Sequence, residues 1–530
     1  MKLSYVAAES SGAEIRESTI GDLIRTAAAS APEHPALTFA TTADGIVGRW
    51  TYAEFLAEAE AAARALLAHF HPGERVAIWA SNRPEWLFVQ FGAALAGIVL
   101  VTVNPAFRAF EAGHVLRRAR LAGIVVERAS RGNHLRAMVD ELRPALDGVR
   151  HVIDLDDWDA FVASVDPALV LPRVDPSDAV QIQFTSGTTG APKGAVLTHR
   201  GMSNVPRIAT ELFELGPSPV WINAMPLFHV GGCGLSTIGP MTSLGTQVLV
   251  DRFDPELVLR LAESERATFL GGVPTMLIGL IEQPDFARRD LSSLRVVLSG
   301  GASVAPELVT HIEQALGVKF LVAFGQTEAN GHVCQTRPTD TPQDKAETIG
   351  RPLPFIELSV QDPASRATVP IGAVGELCVR HPLVMAGYFD DPVATAAAID
   401  ADGWLHTGDL GALDERGQVR FAGRLKEVIV RGGENIHPRE IEDVLFLHPA
   451  VGEAAVIGVP DERWGEQLAA YVRLHAGATA TAEDLRGHLR ALLAPQKVPV
   501  HWTFVDELPH TASGKVQKFA LLERWQAGDS

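Results

Sequence analysis

The feature that most constrains the fold is the alternation of alanine-rich helical patterns with short β-branched runs over residues 20–170. A helical pattern begins after Thr51 and continues to Leu67. The apolar runs at Arg75–Trp79 and Val99–Val103 are typical of buried strands. Because helices that alternate with strands pack on the faces of a sheet, this region predicts layered α/β structure with largely parallel sheets.

The same alternation continues along the chain and changes near residue 370. Further strands are predicted at Trp221–Met225, Thr246–Val250, Val296–Leu298 and Phe320–Phe324. Beyond residue 370, the segments Gly375–Arg380 and Val419–Phe421 alternate polar and apolar residues between turns. We therefore expect a small β-rich subdomain at the end of a large domain that covers residues 1–423.

A second, smaller domain is predicted over residues 424–530. It begins with a strand over Glu427–Val430, and a helix follows from Pro438, where proline suits the first helical position. A later helix opens at Thr481, with Asp484 placed for a capping box. The unit has about 100 residues, a normal domain size. The expected fold class is therefore α/β, with a small C-terminal α+β domain.

Composition excludes several classes of protein. The 530 residues include 46 Lys and Arg against 64 Asp and Glu, a formal net charge of −18, so the basic footprint of a nucleic-acid-binding protein is missing. The three cysteines are too far apart for a disulfide framework or a CxxC metal site. The N-terminus lacks the apolar stretch of a signal peptide, and the longest apolar run, Phe91–Val103, is too short to span a bilayer. We expect a cytoplasmic protein without stable membrane insertion.

The most informative segment for function is Thr185–Gly194, which follows the predicted strand Ala179–Phe184. Its glycines let backbone N–H groups face an anion, its hydroxyl groups donate hydrogen bonds, and Lys193 adds positive charge. The pattern departs from a Walker A loop, because Pro192 and Gly194 flank the lysine where glycine and Ser/Thr are required. The sequence therefore predicts a phosphate-binding loop between two strands, without a helix dipole.

This loop resembles the signature of the adenylate-forming superfamily, which includes acyl- and aryl-CoA ligases, luciferases and the adenylation domains of peptide synthetases. The resemblance covers nearly the whole chain, because further segments match the superfamily in order and spacing. These segments are Pro226–His229, Ser299–Ala302, Phe324–Glu328, Gly403–Asp409, Gly423–Glu427, Gly432–Asn435 and Thr511–Lys515. The resemblance implies that a carboxylate attacks the α-phosphate of Mg·ATP to give an acyl-adenylate and pyrophosphate. After rotation of the smaller domain, a thiol then displaces AMP.

The resemblance also implies which residues hold ATP and Mg²⁺. The β- and γ-phosphates would be bound by the loop residues Thr185, Ser186, Gly187, Thr188, Thr189, Gly190 and Lys193. Thr327 would contact the α-phosphate. Glu328 would hold Mg²⁺, a hard ion that takes few carboxylate ligands besides phosphate oxygens.

The nucleoside would lie against a different set of residues. The resemblance places the adenine and its surroundings beside Gly300, Gly301, Ala302, Phe324, Gly325 and Gln326. Phe324 stands where tyrosine is usual in the superfamily, and it keeps the ring that can stack on the base. Asp409 would accept hydrogen bonds from both ribose hydroxyls, which two carboxylate oxygens permit. Arg424 would touch the ribose or the phosphates.

The remaining matched positions concern the reacting groups and the domain motion. Lys515 would bridge the substrate carboxylate and the α-phosphate, and Lys426 matches the hinge around which the small domain swings. His229 matches the position that separates the acyl pocket from the thiol tunnel. Gly432 and Gly433 lie in the segment that lines the pantetheine of CoA after rotation.

The acyl pocket is expected to be apolar. The segments 221–239 and 325–334 would line it, and Cys233 would belong to the lining rather than act as a nucleophile. The lining residues expected from these segments are Val230, Gly231, Gly232, Leu235, Gly331 and Val333. Because no acidic residue stands at the position matched to an amino acid's ammonium group, an amino-acid adenylation domain is disfavoured.

The leading hypothesis is an ATP-dependent acid–CoA ligase acting on a medium or long fatty acid or an aryl acid. Its partners would be the small carboxylic acid and CoA, with no nucleic acid. Two alternatives stay open: an enzyme that loads a carrier protein or uses another nucleophile, and a non-catalytic nucleotide-binding scaffold. The sequence leaves open the identity of the acid and whether the chain forms a homodimer.

Overall fold

Four β-sheets organise the described residues of the computed structural model, three before residue 425 and one after it. The structure describes residues 2–9, 12–163, 165–185, 192–301, 304, 306–432, 434–461, 463–511 and 515–528.

The first sheet has seven strands and a parallel centre. Its order is Gly387–Tyr388, Lys193–Thr198, Ala179–Thr185, Val99–Val103, Arg75–Trp79, Gly123–Val126 and His151–Asp154. Every residue of Val99–Val103 is buried, because helices cover both faces of a parallel sheet. Ala179–Thr185 pairs antiparallel with Lys193–Thr198, so the predicted phosphate loop does connect two neighbouring strands.

The second sheet has nine strands and provides one wall of the cavity described below. Its order is Arg351–Pro352, Cys334–Gln335, Lys319–Phe324, Val296–Gly300, Phe269–Gly272, Val220–Asn223, Thr246–Val250, Pro35–Thr41 and Gly45–Thr51. The strands from Lys319–Phe324 across to Pro35–Thr41 are parallel. Because parallel strands end at the same edge, Gly300 comes to lie opposite Ala323.

The helices of the large region pack on these two sheets. They are Ile20–Ser30, Tyr52–Leu67, Pro84–Ala96, Ala109–Arg118, Leu135–Leu142, Trp158–Ala163, His199–Glu211, Ser236–Met241, Pro255–Ser264, Pro274–Ile281, Pro306–Leu316, Pro342–Glu347 and Pro392–Ala398. The predicted start at Thr51 is confirmed, because Thr51 and Glu54 form a capping box. In the part of the chain that is described, no helix has the length and apolar character needed to cross a bilayer.

The third sheet is the predicted small β-rich subdomain. Its order is Tyr5–Val6, Glu357–Gln361, Gly375–Arg380, Leu405–Leu413 and Val419–Arg424, all antiparallel. The sequence did not predict the strand Tyr5–Val6, which comes from the other end of the large region. Its two residues pair with Ser359 and Leu358, and a pairing so short and so distant in sequence leaves no periodic signal.

The fourth sheet forms the centre of the C-terminal region. Its strands run in the order Glu434–Ile436, Ile429–Arg431, Gly465–Leu474 and Val451–Asp461, and His501–Phe504 pairs parallel with Gly465–Leu474. The helices Pro438–Phe446, Ala482–Leu492 and Lys518–Ala527 pack on it. Thr481 and Asp484 form the predicted capping box.

The predicted α/β fold class is confirmed, with one local error at the start of the C-terminal region. A strand was predicted over Glu427–Val430, but Leu425–Glu427 is a helical turn and the strand covers Ile429–Arg431. The side chain of Glu427 forms an ion pair with Lys518 at 3.0 Å. Glu427 therefore belongs to a turn between two sheets, which a short apolar run cannot reveal.

Candidate active site

A continuous cavity of about 2440 Å³ opens at the strand ends of the large region and continues to the C-terminal region. Thr185, Gly300 and Phe324 are the last residues of their strands, and all three line it. In sheets with parallel strands, ligands bind outside the carboxyl ends of those strands. Because small-molecule pockets usually measure about 300–1,000 Å³, this cavity has room for a nucleotide and a second substrate together.

Thr327 and Glu328 stand on a tight turn that follows the strand Lys319–Phe324. The turn closes through hydrogen bonds from Gly331 N to Gln326 O at 2.9 Å and from Val333 N to Phe324 O at 2.8 Å. The turn also explains the glycine at 325, because a Cβ there would lie 2.1 Å from the carbonyl oxygen of Gly331.

The carboxylate of Glu328 is buried and held from two sides. Thr185 Oγ1 donates to Glu328 Oε1 at 3.3 Å, and Tyr388 OH donates to the same oxygen at 2.8 Å. Within the described residues, Glu328 Oε2 has no hydrogen-bond partner. One carboxylate oxygen is thus fixed, and the other is left to coordinate a ligand.

Tyr388 is a site residue that the sequence did not single out. Burial raises the pKa of Tyr388, and the charge of Glu328 raises it further, so the hydroxyl keeps its proton and donates. Lys193 Nζ lies 5.3 Å from the centre of the Tyr388 ring. The ammonium group is therefore within cation–π distance of the ring. A lone Gly-Tyr pair before a helix carries no motif that could have identified it.

Asp409, Arg424 and Lys515 form a charged cluster that lines the cavity. The three residues come from three different segments of the chain. Asp409 pairs with Arg424 across neighbouring strands, and Arg424 Nε lies 3.2 Å from Asp409 Oδ1. Burial raises the pKa of Asp409 to about 6, while Arg424 and Lys515 favour its ionised form. Burial lowers the pKa of Lys515, Arg424 lowers it further, and Asp409 and Glu328 oppose this shift. The predicted ribose and phosphate contacts are thus electrostatically coupled.

Lys515 reaches this cluster from the C-terminal region. A Cβ on Gly301 would lie 3.8 Å from Lys515 Cε, so the lysine stem passes close to the glycine backbone of the large region. Gly301 has φ +75°, a conformation that favours glycine. The structure therefore brings the predicted catalytic lysine to the predicted adenine wall.

The other described residues that are predicted to surround the adenine also face the cavity. Gly300, Gly301, Phe324, Gly325 and Gln326 all line the cavity. A Cβ on Gly300 would lie 2.6 Å from the carbonyl oxygen of Ala323. Phe324 packs against Phe421, with ring centres 5.9 Å apart.

Several predicted contacts lie outside the described residues. These are Ser186, Gly187, Thr188, Thr189 and Gly190 of the phosphate loop, Ala302 of the adenine wall, and Gly433 of the CoA segment.

His229 lines the cavity as predicted and is neutral. Burial lowers the pKa of His229 to about 4, and the positive charge of Lys515 acts in the same direction. Gly231 N donates to His229 Nδ1 at 3.1 Å, so the proton of the neutral ring is on Nε2. The ring orientation is thus set by the backbone of the helical turn Gly231–Leu235.

Three predictions for the acyl pocket are wrong. Gly232, Cys233 and Val333 do not line the cavity. A Cβ on Gly232 would lie 2.2 Å from the carbonyl oxygen of Pro226, so this glycine serves close backbone packing. Cys233 is a buried thiol that accepts from Gln183 at 3.3 Å, and burial raises its pKa to about 12. Both residues therefore belong to the core.

The other residues predicted for the acyl pocket do line the cavity, together with residues from other segments. Val230, Gly231, Leu235 and Gly331 line the cavity. Residues outside the two predicted segments also line it: Val205, Pro206 and Phe269. Parallel topology brings these segments together at the strand ends, which no local pattern records.

The predicted CoA segment lies outside the cavity. Gly432 and Arg431 are not among its lining residues, and neither is Trp464. Gly432 N donates to Trp464 O at 2.8 Å. The Trp464 ring is flanked by Arg431 at 4.9 Å and Arg463 at 5.0 Å from its centre. The Trp464 indole is 37% exposed. It lies between two guanidinium groups and outside the cavity that the nucleotide residues line.

One other group of side chains has the composition of a metal site. Among the described residues, Glu376, Cys378 and His406 bring three potential ligand atoms within 4.8 Å of one another. These atoms already contact each other: His406 Nδ1 lies 3.0 Å from Glu376 Oε2 and 3.2 Å from Cys378 Sγ. Gly408 N donates to Glu376 Oε1 at 3.0 Å. We interpret the group as support for the turn before Asp409.

Comparison with known proteins decides the family. Residues 24–389 match the AMP-binding enzyme family, and residues 440–515 match the AMP-binding enzyme C-terminal domain. The chain belongs to the AMP-binding enzyme family. This membership confirms the predicted resemblance to adenylate-forming enzymes and the prediction of an AMP-forming ligase.

Two relatives of this AMP-binding enzyme cover nearly its whole length. It is 37% identical over 541 residues to "Putative acyl-CoA synthetase YngI" of Bacillus subtilis, covering 97% of this chain and 98% of the relative. It is 33% identical over 546 residues to human "Medium-chain acyl-CoA ligase ACSF2, mitochondrial", covering 97% and 88%. Acyl-CoA ligases of this family use ATP and CoA, in agreement with the predicted substrates.

Solved structures add a comparison between two states of one neighbour. ATP-bound MatB from Rhodopseudomonas palustris matches with a TM-score of 0.87 and 29% identity, covering 96% of this chain and 100% of that one. Apo MatB from the same organism matches with a TM-score of 0.77 and 28% identity, covering 96% and 100%. The AMP-binding enzyme described here is thus more similar to the nucleotide-bound state.

Proposed function

We propose that this AMP-binding enzyme is an ATP-dependent acid–CoA ligase that activates a hydrophobic carboxylic acid, with a medium-chain fatty acid as the preferred class. The observation that carries the proposal is the convergence of Lys515, Glu328 and Asp409 on one cavity. The apolar lining around Val230 and Phe269 supports a hydrophobic acid. The name of the human relative supports medium chain length.

The first half-reaction brings two anions together, so the site must neutralise charge as it develops. Stabilisation of this kind is usually the largest catalytic contribution. Lys515 would bridge the substrate carboxylate and the α-phosphate; burial and Arg424 lower its pKa, while Asp409 and Glu328 favour its protonated form. Thr327 would contact the α-phosphate, and Lys193 the outer phosphates. The two oxygens of Asp409 would accept from the ribose hydroxyls.

The residues at Glu328 fit a Mg²⁺ ion. One carboxylate oxygen accepts from Tyr388 and Thr185, which leaves the other for a hard cation that takes most of its ligands from phosphate and water. Bound there, Mg²⁺ would neutralise phosphate charge. The chain's own part is to hold Glu328 on a closed turn so that its free oxygen faces the cavity.

The second half-reaction requires the small domain to turn. We place the domain boundary at residues 423–424 and the hinge at Lys426. Arg424 is fixed to the large domain by Asp409, while Glu427 is fixed to the small domain by Lys518, whose Nζ also lies 2.8 Å from Glu442. Only the short segment between these two attachments is left to absorb the φ/ψ change of a rotation.

Rotation would bring a different set of residues to the acyl-adenylate. Gly432 and Trp464 lie outside the cavity, and Lys515 lies inside it, as an enzyme poised for adenylation requires. Stacking on an indole is favourable for any purine, and guanidinium groups pair with phosphates. Trp464, Arg431 and Arg463 therefore supply the chemistry that the nucleotide of CoA needs. His229, neutral and fixed by Gly231, would stand between the acyl group and the entering thiol.

The experiment is pyrophosphate release with Mg·ATP over a panel of acids, with and without CoA, and product mass spectrometry. The panel includes fatty acids from short to long, benzoic acid and cinnamic acid. Turnover that needs CoA and yields a medium-chain acyl-CoA supports the proposal. Acyl-CoA formation only from aryl acids would correct the substrate class. Pyrophosphate and bound adenylate without an acyl-CoA would favour a carrier-protein acceptor instead. Cytoplasmic location and a homodimer stay predictions.

A further inference from the structure

An ion pair outside the nucleotide contacts holds the loop that carries Lys515. His510 Nε2 lies 3.3 Å from Glu453 Oε2, and the two side chains are 20% and 17% exposed. Glu453 stands on the strand Val451–Asp461 of the small-domain sheet. The pair therefore ties the loop to the sheet, and its limited exposure protects it from full screening by salt.

The backbone connects His510 directly to Lys515. His510 forms an antiparallel bridge with Val516. Thr511 N donates to Lys515 O at 2.7 Å, and Lys515 N donates to Thr511 Oγ1 at 3.0 Å. His510 and Lys515 thus belong to one hydrogen-bonded unit, and a displacement of the histidine displaces the lysine backbone.

The acid that faces His510 favours its protonated ring. His510 Nε2 lies 3.3 Å from Glu453 Oε2, and only the imidazolium carries the charge that makes this contact an ion pair. The hydrogen bond with Glu453 raises the pKa of His510 above its ordinary value of about 6.5. Burial opposes this shift, while Leu508 and Glu507 add to it.

Of the two residues in the ion pair, His510 is the one expected to change its charge near neutral pH, because the other charged groups keep Glu453 ionised. Arg473, on the neighbouring strand, donates to Glu453 Oε1 at 2.9 Å and stays charged at neutral pH. Burial alone would raise the pKa of Glu453, but His510 and Arg473 hold it below its usual range. His475 lies near Arg473 beside Gly452, and Glu507 faces His510 from its own loop.

We propose that His510 is a positioning residue whose protonated ring holds Lys515 in place for adenylation, so that acyl-adenylate formation depends on the charge of His510 and thioester formation does not. The inference rests on the proposed function. The direction follows from the ion pair: as pH rises, His510 loses its proton and Glu453 loses the positive charge that faces it. Lys515 is then held less firmly, and adenylation slows.

The test compares the wild type with His510→Arg, which stays charged at every pH, and His510→Gln, which is always neutral. Adenylation is measured by single-turnover pyrophosphate release between pH 6 and 9. The ratio of the wild-type rate to the His510→Arg rate should fall roughly 3- to 10-fold over this range, the effect of losing one charge-assisted hydrogen bond. The ratio to His510→Gln should fall to about one at high pH, where both side chains are uncharged. Both ratios should stay constant for thioester formation from supplied acyl-adenylate.

Two measurements separate this inference from the proposed function and from general instability. The first is an NMR titration of His510, whose pKa should fall in Glu453→Gln; it needs no substrate. The second uses His71→Arg, a matched change at an exposed histidine of the large domain, whose ratio to the wild type should not vary with pH. The proposal is overturned if the adenylation ratio of wild type to His510→Arg is constant from pH 6 to 9. It is also overturned if both half-reactions show the same pH-dependent fall, or if the pKa of His510 is unchanged in Glu453→Gln.

Discussion

The small domain has two functional faces, and they differ in what they contact. The face with Lys515 is built into the cavity: the lysine passes over Gly301 and is coupled to Asp409 and Glu328. The face with Gly432 and Trp464 contacts only its own domain through the described residues, with Trp464 flanked by arginines. One arrangement therefore brings together the residues proposed for the first half-reaction and leaves those proposed for the second outside the cavity. In the proposed mechanism, geometry rather than a second active site separates the two chemical steps.

The largest expected effect comes from removing the cation of the first face. Lys515→Ala should lower acyl-adenylate formation by roughly 10²–10³, the size of losing one strong electrostatic contact. Thioester formation from supplied acyl-adenylate should change far less, because rotation removes the lysine from the site. Lys497→Ala, at a lysine paired with Glu440 in the same domain, is the matched control. Equal damage to both half-reactions would show that the two faces are not separate.

The second face is tested by Trp464→Ala. The KM for CoA should rise about tenfold, since base stacking on an aromatic ring contributes roughly 1–3 kcal/mol. Trp464→Phe keeps a ring and should recover most of this loss. Pyrophosphate release in the absence of CoA should be unchanged in both variants. If adenylation slowed as much as the CoA-dependent step, Trp464 would belong to the first face.

The pH dependence of ATP binding tests whether Asp409 contacts the ribose. Because burial raises the pKa of Asp409 to about 6, the carboxylate that accepts from the ribose becomes protonated as pH falls below that value. The KM for ATP should therefore rise several-fold between pH 7 and pH 5, by up to about tenfold per pH unit below the pKa. In Asp409→Asn the KM should be high at pH 7 and nearly independent of pH. A flat wild-type profile would contradict this role.

The smallest expected effect concerns the support of Glu328. Tyr388→Phe removes the hydroxyl that donates to Oε1, and a hydrogen bond to a charged group contributes about 1.5–3 kcal/mol. Since Thr185 keeps a second contact, we expect the Mg²⁺ concentration for half-maximal adenylation to rise by only about threefold, less than the full hydrogen bond. Tyr5→Phe, which removes the equivalent exposed contact to Glu357, should leave it unchanged.

The sequence predicted most of what local patterns can encode. The strand Val99–Val103 and the helix start at Thr51 follow from an apolar run and a capping residue, and both occur as predicted. Lys515 and Asp409 were found because they stand in motifs that match a known superfamily. The structure then places them together with Glu328 at the cavity.

What the sequence missed depends on contacts between distant segments. Tyr388 reaches Glu328 from the edge strand of the first sheet, whereas Glu328 follows a strand of the second sheet. Phe269 lines the cavity from a strand that lies far from the predicted segments in sequence. Cys233 was placed in the lining because it falls within the segment 221–239, but the helical turn directs it into the core. His510 and Glu453 are 57 residues apart, and no periodicity connects them.

If the enzyme uses two faces of the small domain in turn, a change at the hinge should stop the second step and spare the first. Lys426→Pro restricts φ where the rotation requires freedom. A single-turnover experiment would follow pyrophosphate and acyl-CoA together, with Lys426→Ala as the control for loss of the side chain. The account predicts a full burst of pyrophosphate with acyl-CoA formation slowed by about 10²-fold or more. Unaltered acyl-CoA turnover in Lys426→Pro would contradict it.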